Sequence, residues 1–183
     1  GVVFNNSYVK GTANETIRLL GSATFNGGFE CAYLQGQEVI EDNPLNGGIG
    51  GTIAIEEGTT VHATYGVEIS NDYTLNGGNI ELSGGNADGD LWGFVFQDSE
   101  CTINSNIKVV GNTGTYAPIH FTNVTATVNG NISQSNSGGE VIYITDSEVT
   151  FAENSNVTTI TGVHVNDGST LTNRGEINGN VTV

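Results

Sequence analysis

Gly66-Val67-Glu68-Ile69-Ser70-Asn71-Asp72-Tyr73-Thr74-Leu75-Asn76-Gly77-Gly78 alternates apolar and polar residues, breaks at a polar corner, alternates again and ends on a glycine pair. Alternation with a period of two marks a strand with one buried face. The phrase therefore reads as strand, corner, strand, turn. It returns as Gly93-Phe94-Val95-Phe96-Gln97-Asp98-Ser99-Glu100-Cys101-Thr102-Ile103 and again from Ile119 to Val128. Val141-Ile142-Tyr143-Ile144-Thr145-Asp146 and Gly162-Val163-His164-Val165-Asn166-Asp167 carry its first half. Ile69, Phe96, Phe121, Ile144 and Val165 then fall 27, 25, 23 and 21 positions apart. Short strands at such a period, without a helical pattern, predict a solenoid whose coils stack.

Strand alternation sorts inside from outside. Val67/Ile69, Phe94/Phe96, Ile119/Phe121, Ile142/Ile144 and Val163/Val165 form one inward column pair. Leu75, Ile103, Val128 and Phe151 form a second. Ile53/Ile55, Ile80/Leu82, Ile107/Val109 and Val157/Ile160 form a third. Coils are expected to open at Thr24-Phe25-Asn26-Gly27-Gly28, Pro44-Leu45-Asn46-Gly47-Gly48 and Thr74-Leu75-Asn76-Gly77-Gly78, then near Thr102, Thr127, Thr150 and Thr172. Residues 1–20 fit poorly and are expected to be an N-terminal cap or an irregular first coil. Val2-Val3-Phe4 reads as a strand there, and 14–20 as a short strand or a turn of helix.

Three short strands per coil resemble the right-handed parallel β-helix of the pectate-lyase-like superfamily, an architecture shared by bacterial surface adhesins and autotransporter passengers. The expected fold is thus all-β, a right-handed single-stranded parallel β-helix of six to seven coils, one domain over residues 1–183 with stacked coils from 21 onward. The start at Gly1 and the stop at Val183 in mid-coil point to a piece of a larger protein. The resemblance rests on repeat form, so it speaks to fold more than to activity.

Charge narrows the partners. Twenty acidic residues against four basic ones give a net charge of −16. Nucleic acid binding needs a basic stripe to replace phosphate counterions, and none is present. An anionic membrane surface is excluded on the same ground, and no apolar run is long enough to insert. A secreted or cell-surface, monomeric protein that meets a polysaccharide, a host-surface glycan or a host protein is the expectation. The two cysteines, Cys31 and Cys101, are read as free and buried, because three coils at ~4.8 Å each separate them too far for a disulfide.

Outward positions of the organising strand make a row of Glu68, Val95, His120, Tyr143 and His164. Tyr143 offers a ring to a sugar and the histidines offer hydrogen bonds, so Glu68, His120, Tyr143 and His164 are the candidate ligand-binding residues. Solvent-facing strand positions also favour aromatic and polar residues without any ligand. His120 and His164 stand two coils apart, ~9.6 Å by strand spacing, which is too far to share one metal ion. A second row, Thr24, Thr74, Thr102, Thr127 and Thr150 with Asn26, Asn46, Asn76, Asn104 and Asn129, reads as a structural ladder first and as a polar lattice for a glycan second.

Asn86-Ala87-Asp88-Gly89-Asp90 places three oxygen-bearing side chains at alternate positions, as a calcium loop does. Calcium held by Asn86, Asp88 and Asp90 is therefore the one cofactor under consideration, and Trp92 beside it is a further sugar platform. The loop lacks the distal bidentate glutamate of an EF-hand, and an exposed Asp/Gly-rich turn explains it equally. Lyases of the resembled superfamily use an Arg or Lys base near calcium, and its hydrolases carry Gly-His-Gly and Arg-Ile-Lys motifs. Neither motif occurs here. No catalytic residue is assigned, and a non-catalytic binding module leads over a polysaccharide lyase, a glycoside hydrolase or a bare stalk.

Overall fold

A computed structural model describes residues 1–5, 16–36, 50–83, 93–110, 118–135 and 141–183. All the strands in it pair in parallel, and no helix occurs among the described residues. The chain winds as a β-solenoid of about six turns, its coils forming three sheets around one apolar core.

The first sheet contains the organising strand. It runs from Thr16–Leu19 through the later part of Phe29–Gly36 and of Thr60–Ile69. It continues through the front of Phe94–Ile103 and of Ile119–Val128 to Val141–Thr145, Gly162–Val165 and Val181–Thr182. Ile69, Phe96, Phe121, Ile144 and Val165 lie in one register column, as their spacing predicts. The second sheet takes Val2–Asn5, Ala23–Asn26, Gly51–Ile55, Tyr73–Asn76, the rear of Phe94–Ile103 and of Ile119–Val128, Glu148–Phe151 and Thr170–Asn173. The third takes the front of Phe29–Gly36 and of Thr60–Ile69, then Asn79–Leu82, Asn106–Val109, Ile132–Gln134, Asn156–Thr158 and Glu176–Asn178.

The inward positions along these columns are aliphatic, aromatic or small over most of the length, with the buried Gln134, in register with Val109, an exception. Phe25, Ile69, Leu75, Phe96, Ile107, Phe121 and Phe151 are all fully buried. Each such side chain contributes ~1.5–3 kcal/mol by leaving water. Phe96 and Phe121 stack with ring centroids 5.0 Å apart and planes 7° from parallel, so successive coils interlock through rings as well as backbone bonds. Tyr73 is buried too, and its hydroxyl donates to the Leu19 carbonyl at 3.0 Å, which keeps the one phenol in the core satisfied.

The corner between the first and second sheets is made by left-handed residues. Asp98, Asn123 and Asp146 have φ of 50°, 52° and 49°, a conformation that short polar side chains tolerate. The Asn123 amide donates to Asp98 Oδ1 at 2.8 Å, tying one corner to the next. At the following turn Gly77 and Gly78 also take positive φ, and a Cβ on Gly78 would run into Ile55.

Three expectations are corrected. Gly51–Ile55 lies between Ala23–Asn26 and Tyr73–Asn76, so Ile53 and Ile55 belong to the second sheet, not the third. Residues 44–48, read as that coil's opening, lie outside the described residues. Val61 and Ala63 take the third-sheet place, in register with Ile80 and Leu82. Thr24 aligns with Ala54 rather than with Thr74; the threonine in that row is Thr52, followed by Thr74, Thr102, Thr127, Thr150 and Thr172. Ile160 is 50 % exposed and lies beyond Asn156–Thr158, while Ile132 and Gln134 supply a third-sheet strand that alternation alone left unread. At the start of the chain, Val2–Asn5 and Thr16–Leu19 are strands, in line with the strand readings of Val2-Val3-Phe4 and of 14–20.

Candidate functional site

The outward row of the first sheet follows from its register. Arg18, Gln35, Glu68, Val95, His120, Tyr143, His164 and Thr182 succeed one another, one per coil. From Gln35 to His164 the neighbours on both sides of each are buried, so alternation alone points these side chains away from the core. The row divides at Val95 into two groups of different chemistry.

On one side stand His120, Tyr143 and His164. His120 and Tyr143 are stacked, centroids 5.0 Å apart and planes within 14°. His164 meets the other side of Tyr143 edge-on, at 5.6 Å and 72°. The coil repeat sets this geometry: strands ~4.8 Å apart bring like-placed rings to stacking distance. Burial of its imidazole holds His120 below the ordinary histidine pKa, so it is neutral at pH 7. With a ring on each side, Tyr143 offers no open ring face to a ligand. Recognition by this group would run through hydroxyl and imidazole N–H groups, which suits a hydroxyl-rich ligand.

On the other side Glu68 sits in a clamp. Gln35 Nε2 donates to its Oε2 at 3.1 Å and Gln97 Nε2 to its Oε1 at 3.0 Å. Arg18 donates in turn to Gln35 Oε1 at 3.5 Å. Burial raises the Glu68 pKa, opposed by the Gln35 hydrogen bond and by the charge of Arg18. Both carboxylate oxygens therefore have partners within the fold. Glu68 shares the row with the imidazole–phenol group but does not touch it, since Val95 stands between. Gln35, Gln97 and Arg18 were not readable as a cluster, because only the cross-coil register brings 18, 35, 68 and 97 together.

The asparagine row is a true ladder over part of its length: Asn104 donates to Asn76 at 3.3 Å and Asn129 to Asn104 at 2.8 Å. Asn26 is not in it and bonds Asn5 instead. A second asparagine column, Asn79, Asn106, Asn131 and Asn156, edges the third sheet. Trp92 and the calcium candidates Asn86, Asp88 and Asp90 lie outside the described residues. Among the described residues no three of His, Cys, Asp and Glu are grouped to hold a metal ion. Cys31 and Cys101 are free and buried. Burial pushes the Cys31 thiol up to about 12 and raises that of Cys101, which makes both poor nucleophiles.

Comparison with protein-family models, with curated proteins and with solved structures returns no match to this chain.

Proposed function

We propose that the protein is a non-catalytic adhesion or carbohydrate-binding module of a secreted or cell-surface protein, built on the β-helix plan that pectate-lyase-like proteins and bacterial surface adhesins share. One observation carries the reading: the stacked His120–Tyr143–His164 row, which repeats hydrogen-bonding edges at the coil interval along a flat sheet. A surface with a fixed repeat complements a polymer with a fixed repeat, and imidazole, phenol and amide groups match sugar hydroxyls by hydrogen bonding. The partner class is a polysaccharide or a host-surface glycan, met by the protein as a monomer. Calcium at Asn86, Asp88 and Asp90, with Trp92 as a neighbouring platform, is part of the same proposal.

The test is electrophoresis in gels cast with neutral and acidic polysaccharides, with and without calcium. Retarded migration with the polymer intact supports a binding module. A cleared zone in the polymer stain would instead mean a lyase or hydrolase. A stalk is the second reading, favoured by Glu68, whose two oxygens are both engaged inside the fold. Unretarded migration across the panel would support the stalk.

A further inference from the structure

The third sheet bears a groove of about 380 Å³ that the sequence did not disclose. Asn106, Lys108, Asn131, Ser133, Asn156 and Thr158 line it. It runs along the coil axis: Lys108 is in register with Ser133, and Ser133 with Thr158. From Asn79 to Asn156 it crosses three coil steps, ~14 Å at strand spacing, the length of a short oligosaccharide.

The chemistry of its wall is specific. Asn106 Oδ1 accepts the Asn131 backbone N–H at 3.0 Å, and Asn131 Oδ1 accepts that of Asn156 at 2.9 Å. These bonds fix the amide planes by their oxygens, which leaves Asn131 Nδ2 as a donor toward the groove. Ser133 and Thr158 add hydroxyls. No carboxylate lines the groove, and among the described residues the Lys108 ammonium makes no hydrogen bond or ion pair. Glu81 holds the same row one coil earlier, in register with Lys108 and outside the lining, and Glu176 Oε2 accepts from Asn156 Nδ2 at 3.5 Å at the far end of the groove. Lys108 is the one cationic group of the lining; charges beyond about 8 Å are screened at physiological salt, while Glu81, ~4.8 Å away by strand spacing, competes for it.

We propose that this groove binds a carboxylate-bearing glycan, with a sugar carboxylate on Lys108 Nζ and neighbouring hydroxyls on Asn131, Ser133 and Thr158. The proposal rests on reading the protein as a glycan binder, but it uses a different sheet from the His120–Tyr143–His164 row. A charge-assisted contact of this kind changes affinity by about tenfold or more.

The test titrates hyaluronan and alginate hexasaccharides, and their carboxyl-reduced counterparts, into isotope-labelled protein followed by backbone amide resonances. The expected result is saturable shifts at Asn131, Ser133 and Thr158 with an acidic oligomer, weakened by salt. Lys108→Gln should weaken binding about tenfold or more, Lys108→Arg should retain it, and Tyr143→Ala/His164→Ala should leave it unchanged. That pattern would stand even if the first-sheet row bound nothing. Loss of acidic-glycan binding only in the Tyr143/His164 variant would overturn the groove and uphold the row. Equal binding of the reduced oligomers, equal binding by Lys108→Gln, or no binding of either acidic oligomer at millimolar concentration would also overturn it.

Discussion

The phenol ring of Tyr143 lies 5.0 Å from the His120 imidazole, centroid to centroid, with the planes 14° apart. The pair is made by register, since Ile119–Val128 and Val141–Thr145 place the two residues opposite each other. Burial lowers the His120 pKa below 6.5, so the unfolded chain binds a proton there before the native one does. Stability from this group is then complete above pH 6.5 and is lost as pH falls through the folded-state pKa. Urea melts of the wild type and of His120→Asn should diverge in slope below pH 6.5, the wild type losing more. Parallel curves would contradict the buried, neutral assignment.

Glu68 works in the opposite sense. Its pKa is raised above 4.5 by burial, so the native state holds its proton longer than the unfolded chain. Its contribution is complete below pH 4.5 and is lost as pH rises through the folded value. A carboxyl-carbon NMR titration should place the Glu68 midpoint above 4.5. A midpoint at or below that value would mean the Gln35 bond and Arg18 outweigh desolvation.

Phe121 is fully buried and stacked on Phe96. Phe121→Ala should cost about 3–5 kcal/mol in chemical denaturation, because the rigid coils above and below cannot close on the void. A loss under about 1 kcal/mol would show that the solenoid interior is loosely packed.

The repeat was legible where alternation and a corner coincide. Ile69, Phe96, Phe121, Ile144 and Val165 carry both signals, and their register follows. The second coil misled because 44–48 copies the Leu-Asn-Gly-Gly phrase while Gly51-Thr52-Ile53-Ala54-Ile55 lacks it. Register there is set by contacts that the local sequence does not display, such as the Thr52 N–H bonded to Ser22 Oγ at 3.0 Å and Tyr73 bonded to Leu19. The candidate site was half legible. His120, Tyr143 and His164 share a strand position, so counting finds them. The glutamines around Glu68 and the groove at Lys108 need the coil-to-coil register, because loop lengths between coils vary.

Asn123 combines a φ of 52° with a 2.8 Å bond to Asp98. Asn123→Ala should lose about 1–2 kcal/mol from the left-handed backbone and the missing bond together. Asn123→Gly should lose less, since glycine adopts that φ freely. Thermal melts rank the two, and an alanine variant as stable as the glycine one would remove backbone strain from the account.

The glycan-binding claim is tested most directly by affinity electrophoresis of Tyr143→Ala/His164→Ala beside the wild type, in gels containing a neutral polysaccharide that retards the wild type. Both residues sit on the solvent side of a sheet whose inward neighbours are untouched, so the variant should fold with an unchanged circular dichroism spectrum. The account predicts that it migrates as in a polymer-free gel. A folded variant retarded as strongly as the wild type would contradict the first-sheet row as the binding site.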